Sequence, residues 1–434
     1  MIKRSFFGLA KPSLEYKPLP DKLPEPEKIT SSENVTLLLN AAPQQTDRTL
    51  SVKEGDKIQT GQKLFFTNDD AYITSSATGT ISSISSFAGD FGASYTAVSI
   101  NVSDNEEIEA QFKEYAKTPS TETVKDFLAC VPGHLPINLL FNSEKPIKTI
   151  VISGCDNDLL VYTNQYIVKT ATDSIESGIG ILKNITGADD IIIVLPHGLK
   201  HDFGQIDANI ITVDTFYPAA APHLIVQKIL GQPVPEGKSF EDFGIGFVSV
   251  EAVASLGRGF TSGKIPVKKT ISVINKDESV KLVVAQIGTP IRDILSALGI
   301  GLNERDRLIM GGPMTGTAIY SDEHPVMADT NAIMIQDSGN IPLVSDYPCI
   351  NCGDCIRVCP AAIPINMLVR FLEVGQYEEA ADNYDLYSCI ECGLCSLVCV
   401  SKIPIFQYIK LAKYELDRIS VAQTPDDNAE AVDE

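Results

Sequence analysis

The sequence predicts a multidomain chain of α/β and all-β parts that closes in a small helical, cysteine-rich domain. Three observations predict it. Short β-rich runs punctuated by Gly and Asp fill residues 31–110. Continuous β-branched runs then alternate with helical periodicity through residues 120–260. Eight of the ten cysteines crowd into residues 349–399, in two runs of identical spacing.

The elements follow in order. Residues 1–30 carry Pro12, Pro18, Pro20, Pro24 and Pro26, a density that opposes regular pairing and predicts an extended arm. Phe6, Phe7 and Leu9 at its start read as an anchor, either for docking on a partner or, as the favoured reading, for packing onto the chain itself. The all-β module of 31–110 has its strands around Val35–Leu39, Val52–Leu64, Ile73–Ile81 and Val98–Val102. In the α/β domain of 120–260, 147–152 and 191–195 are buried parallel strands. A helix is expected over 163–185, with Ile167, Ala171, Ile175, Ile179 and Leu182 on one face, and another over 218–231. Ligands of such a sheet sit at the carboxyl ends of its strands, here the loop Ser153–Asp158. Residues 265–335 give a strand pair, a short helix after Pro290 and a further strand, the order of a β-grasp module. Residues 340–420 hold the cysteines and an amphipathic helix over 403–418, and 421–434 form an acidic tail of disordered character.

The cysteine runs carry the chemistry. Cys349, Cys352, Cys355 and Cys359 repeat the spacing of Cys389, Cys392, Cys395 and Cys399, C-x2-C-x2-C-x3-C. Two-cluster ferredoxins use this run, with the fourth cysteine ligating the other cluster. The expected sets are therefore Cys349, Cys352, Cys355 and Cys399 for one [4Fe–4S] cluster, and Cys389, Cys392, Cys395 and Cys359 for the second. Gly353 and Gly393 supply backbone freedom in the loops. Zinc motifs instead pair C-x2-C halves across a longer loop. Cys130 and Cys155 read as small buried residues. His134, His197, His201 and His223 are too scattered to suggest a metal site.

The composition bounds the setting. No apolar run approaches the roughly 18 residues that span a bilayer, and the first residues lack the core of a secretory signal. A cytoplasmic location is expected, where thiols stay reduced. The net charge of −21 argues against nucleic acid and anionic lipid as partners.

The order of these pieces resembles the RnfC family, the C subunits of Rnf-type ion-translocating electron transport complexes. The resemblance is carried by Val52–Leu64, Tyr217–Leu224 with Gly231–Pro235, Ile287–Pro290, Gly311–Met314 and the two cysteine runs. It implies a barrel-sandwich hybrid over 31–110, an α/β domain like the flavoprotein of respiratory complex I over 120–260, a soluble-ligand-binding (SLBB) β-grasp module over 265–335 and a helical two-cluster ferredoxin-like domain over 340–420. It also implies a peripheral place on the cytoplasmic face of the inner (plasma) membrane, beside the other subunits of the complex.

One departure qualifies the function. The family's glycine-rich loop G-L-G-G-A-G-F-P, which lets amides approach flavin and nucleotide phosphates, corresponds to Cys130–Leu140. Only Gly133 remains there, and Pro132 and Pro136 each remove a donor. The family's A-E-C-E-P-Y corresponds to Gly154–Leu159, with Asp156 and Asp158 as the acids. Gly257–Phe260 mimics part of the lost motif out of place. The expectation is a degenerate FMN and NADH site and a subunit that relays single electrons, with ferredoxin, a c-type cytochrome or a quinone-linked protein as candidate partners. Three alternatives stay open at this stage: an FMN-containing, NADH-oxidising subunit of the same complex, a soluble flavoprotein like cobalamin reductase, and a non-redox scaffold whose clusters only staple the C-terminal domain.

Overall fold

The structure is a computed structural model describing residues 12–20, 25–30, 32–40, 49–67, 71–89, 93–199, 203–204 and 206–423. The arm residues Phe6, Phe7 and Leu9, His201 and the tail 424–434 lie outside the described residues. The chain divides into two compact units. The larger comprises 15–232 and 239–341. The smaller takes 342 onward with the segment 233–238.

The larger unit is mixed α/β. Alternating apolar residues make its first, antiparallel sheet: Val35, Leu37 and Leu39 all face one core, with Ile81, Val98 and Ile100. Its order is Asn34–Asn40, Ser94–Val102, Gly79–Ala88, Lys57–Ile58, and a hairpin of Lys63–Phe65 with Tyr72–Thr74 stands beside it.

The second sheet is four-stranded and all parallel, in the order Asn209–Val213, Asp190–Pro196, Thr149–Ser153, Ile245–Ser249. Its β-branched strands are buried by helices, as parallel sheets require. The single helix expected over 163–185 is two, Thr163–Thr170 and Thr172–Thr186, broken at Ala171 (φ −121°). The Thr170 hydroxyl donates to the Tyr166 carbonyl, a local bond that competes with the helical ladder. The helix expected over 218–231 is shorter, Pro222–Leu230, because Pro222 sets its first turn and Gly231 closes it in the left-handed conformation. Helix Val250–Ser262 is capped by Ser249, whose hydroxyl accepts from the Ala252 amide, and it contains Gly257–Phe260. That stretch is helical and offers no phosphate loop.

The third sheet is six-stranded, in the order Glu27–Lys28, Val280–Gln286, Lys268–Ile274, Ala332–Gln336, Arg307–Met310, Thr317–Ile319. Helix Ile291–Ala297 packs on it through Ile291, Ile294 and Leu295. The first strand corrects the expected unpaired arm: Glu27 and Lys28 pair in parallel with Val283 and Val284. Both residues follow Pro26 and keep their amides, so proline does not block the ladder there.

The smaller unit is helical: Asp354–Val358, Ile365–Glu373, Tyr377–Asn383, Leu394–Val398 and Ile405–Gln423. Its core joins Ile363, Leu368, Leu372, Leu386, Ile403 and Ile409 to Cys355 and Cys395. The last helix reaches Gln423, beyond the expected 418, so residues 421–423 are helical and not tail.

Candidate metal centre

The two cysteine runs fold the same way. Each landmark recurs 40 positions on: Gly353 (φ 74°) at Gly393 (φ 72°), Asn351 (φ 58°) at Glu391 (φ 56°), Ala362 (φ 56°) at Lys402 (φ 58°). The left-handed glycine ends each loop and starts a short helix, Asp354–Val358 or Leu394–Val398. Cys359 and Cys399 leave those helices in the extended region, at φ −67° and −60°. Ile363-Pro364-Ile365 and Ile403-Pro404-Ile405 then begin the longer helices on buried isoleucines.

This geometry sorts the thiols. Cys349, Cys352 and Cys355 line one small cavity with Cys399 of the other run, against an apolar wall that includes Val369, Ile403 and Ile405. Cys392 lies within electrostatic reach of Cys359, and Cys395 of Cys389 and Cys392. Cys395 also lies within electrostatic reach of Cys355, so the two groups adjoin. Burial, reinforced by neighbouring thiols, pushes Cys355 up to about 11, and burial does the same to Cys389. Cys395 is pushed higher still by the same causes. A cation bound among thiols so placed would favour their ionised form. Among the described residues no three His, Cys, Asp or Glu side chains gather in the way a single metal ion requires.

The surroundings are polar where they meet sulfur or loop carbonyls. The Glu391 amide donates to Cys389 Sγ at 3.4 Å. Lys413 Nζ donates to the Cys389 carbonyl at 3.0 Å and pairs with Glu391 at 2.7 Å. Arg357 donates to the Cys352 carbonyl at 3.2 Å. Such bonds and charges tune cluster potentials. Cys352 is exposed, whereas Cys355 and Cys395 are buried.

The Cys130–Leu140 loop has its amides engaged. Gly133 N–H donates to the Ala328 carbonyl at 2.7 Å, His134 N–H to Val131 and Leu135 N–H to Ala129. The Gly133 carbonyl accepts from Ser249 Oγ at 2.8 Å, and a Cβ on Gly133 would stand 2.3 Å from the Ala252 amide. The one remaining glycine thus serves packing against the start of helix Val250–Ser262. Cys130 Sγ donates to the Tyr72 carbonyl, and burial pushes its thiol up to about 11. Cys155 is 1% exposed.

The two acids are likewise spoken for. Asp156 accepts from Asn164 N at 2.8 Å and from the backbone and side-chain nitrogens of Gln165, capping helix Thr163–Thr170. Asp158 accepts from the amides of Leu159, Met314 and Thr315 and from Thr315 Oγ1 at 2.7 Å. Burial pushes Asp156 up to about 7 and raises Asp158.

Sequence reasoning missed what crosses this end of the sheet. Glu15 bridges to Phe216, Tyr16 N–H donates to the Thr215 carbonyl, and Leu19 N–H donates to Gln165 Oε1 at 3.1 Å. Thr215 follows one strand and Gln165 follows another, so the arm runs along the carboxyl ends of the parallel strands. Tyr16 and Leu19, 8% and 5% exposed, are buried there. Two apolar residues among prolines and charges were the only signal.

Residues 341–400 match the 4Fe-4S dicluster domain family. Over 266 residues the chain is 25% identical to the C subunit of the ion-translocating oxidoreductase complex of Rhodobacter capsulatus, covering 58% of this chain and 50% of that one. It is 26% identical over 366 residues to the protein of the same name from Methanosarcina acetivorans, covering 77% and 82%. The C subunit of the Na(+)-translocating ferredoxin:NAD(+) oxidoreductase complex of Acetobacterium woodii is 23% identical over 250 residues, covering 55% and 56%. The match spans half the length of the Rhodobacter relative.

Proposed function

We infer that this chain, related to the C subunits of ion-translocating oxidoreductase complexes, is an electron-transfer subunit of such a complex. It holds one [4Fe–4S] cluster on Cys349, Cys352, Cys355 and Cys399 and a second on Cys389, Cys392, Cys395 and Cys359. The observation that carries this reading is the cavity lined by three thiols of one run and the last thiol of the other. What such clusters supply is one-electron exchange. The chain's part is to hold them adjacent, exclude water from Cys355 and Cys395, and set their potentials through Lys413, Arg357 and the Glu391 amide.

The finer modules belong to the same reading: a barrel-sandwich hybrid over 31–110, a complex-I-flavoprotein-like domain over 120–260, an SLBB β-grasp module over 265–335 and a ferredoxin-like domain over 340–420. The antiparallel, parallel and mixed sheets support the first three in turn. A peripheral position on the cytoplasmic face of the membrane fits a chain in which no described helix is long and apolar enough to cross it.

NAD+ appears in the name of the Acetobacterium relative. Here the loop amides are engaged internally, Asp156 and Asp158 are consumed as acceptors, and the arm covers the strand ends. These observations favour a relay without FMN or NADH, exchanging electrons with ferredoxin, a c-type cytochrome or a quinone-linked protein.

Iron, acid-labile sulfide and flavin, measured on one anaerobically purified sample, test the reading. The expected result is about eight irons with no flavin, the load of two four-iron clusters, and no cluster bleaching on addition of NADH. One bound FMN with rapid bleaching would overturn the relay reading and restore NADH oxidation to this chain.

A further inference from the structure

Helix Val250–Ser262 ends beside a cavity of about 480 Å³ in the larger unit, within the span of roughly 300–1,000 Å³ usual for small-molecule sites. Ile108, Ile265 and Val267 give it an apolar wall, and Arg258, Lys264 and Lys268 line it with them. None of these three cations is ion-paired among the described residues, although Asp and Glu outnumber Lys and Arg by 56 to 35 in the chain. Arg258 commits one of a guanidinium's five donors: Nη2 donates to Ser255 Oγ at 3.3 Å. Ser255 is itself fixed, since its hydroxyl donates to the Pro132 carbonyl at 3.0 Å. The Arg258 side chain stays open to solvent on one side, yet neighbouring protein desolvates the guanidinium and lowers its pKa. A cation that has lost water without gaining a counter-charge favours an incoming anion.

The acids at the same cavity set the charge of that anion. Glu109 is consumed, its two oxygens accepting from the Gln111 and Phe112 amides at 2.9 and 3.4 Å. Glu106 and Asp173 line the cavity as exposed carboxylates. They oppose a multiply charged ligand, while the three cations still outnumber them. We propose that this cavity binds a monocarboxylate with an apolar body, its carboxylate on Arg258 and the two lysines and its hydrocarbon on the wall of Ile108, Ile265 and Val267. The planar fork of Arg258 matches a carboxylate through two parallel hydrogen bonds. Inorganic phosphate brings extra charge toward Glu106 and Asp173 and leaves the apolar wall uncovered. No described lining residue belongs to a cysteine run or to the Cys130–Leu140 loop. The proposal therefore stands apart from electron relay and from flavin binding.

The test uses the full-length protein purified with its clusters. Calorimetric titration with hexanoate should show saturable binding that weakens at high salt, and hexanamide, its neutral counterpart, should bind at least tenfold more weakly. Arg258→Gln should lower the affinity for hexanoate at least tenfold. Thr261 is exposed at the cavity, so Thr261→Trp should fold, fill the space and abolish binding; if Arg258→Gln fails to fold, this variant carries the test. A fatty acid and an apolar amino acid share the proposed chemistry. Tighter binding of L-leucine than of hexanoate, with the advantage lost in Asp173→Asn, would assign the cavity to an amino acid whose ammonium meets Asp173. The reverse order would assign it to a simple carboxylic acid. Absence of saturable binding by both, parental affinity in both Arg258→Gln and Thr261→Trp, or tighter binding of inorganic phosphate than of either would overturn the proposal.

Discussion

Cys399 belongs to the second run by sequence and to the first run's cavity by position. Replacing it with serine should therefore damage the cluster held by Cys349, Cys352 and Cys355, while Cys359→Ser damages the other. Low-temperature EPR of the reduced variants checks this, and the same signal lost in both would show that the runs do not exchange their fourth ligands. Asp156 makes a second prediction at this scale. Its carboxyl is raised by burial to about 7, against about 3.9 in an unfolded chain. Between those values the folded protein binds the extra proton, so this group's contribution to stability falls as pH rises from about 4 to 7 and levels off above. Unfolding free energies across that range should decline less for Asp156→Asn than for the parent, by up to about 4 kcal/mol. An unchanged slope would show that Asp156 stays ionised. The cysteine chemistry was legible in the sequence because a cluster's ligands must lie a few residues apart on one loop. The role of Asp158 was not legible: the amides it accepts from, those of Met314 and Thr315, lie 156 and 157 positions away.

Among the elements, helix Val250–Ser262 and strand Lys268–Ile274 are joined by an ion pair with almost no solvent access, Lys269 with Glu251 at 0% and 1% exposure. Asn331 Oδ1 accepts from Lys269 Nζ at 3.1 Å, and the Thr270 amide donates to Glu251 at 3.2 Å, so both charges are further satisfied. Lys269→Met should cost about 3–5 kcal/mol by stranding a buried carboxylate. The double variant Lys269→Met with Glu251→Leu should recover much of that loss in denaturant unfolding. A double variant as unstable as the single would show that packing, not charge, is at stake. Strand and helix types were legible from periodicity, as in the β-branched run Ile191–Leu195. The break at Ala171 was not, because the Thr170 hydroxyl bond is invisible to an apolar pattern. Nor was the pairing of Glu27 with Val283, which density of proline argued against and only a distant strand could supply.

At the scale of the whole molecule, the smaller unit's core includes Cys355 and Cys395, whereas the larger unit has cores of its own. Removing iron with a chelator should therefore unfold one unit and spare the other. Hydrogen exchange after chelation should show lost protection in Ile365–Glu373 and Ile405–Gln423, with Thr149–Ser153 and Ile245–Ser249 unaffected. Uniform loss would mean that the units fold as one. The mixed α/β class was legible because sheets and helices have different periods. The closure of the parallel sheet by the arm was not, since Leu19 and Gln165 are separated by 146 positions. The proposed crossing of the fourth cysteines also implies an order in biosynthesis. Cys349, Cys352 and Cys355 emerge from the ribosome well before Cys399, and Cys359 emerges before its three companions. Neither proposed ligand set is complete until the second run has been synthesised, so both sites become loadable together.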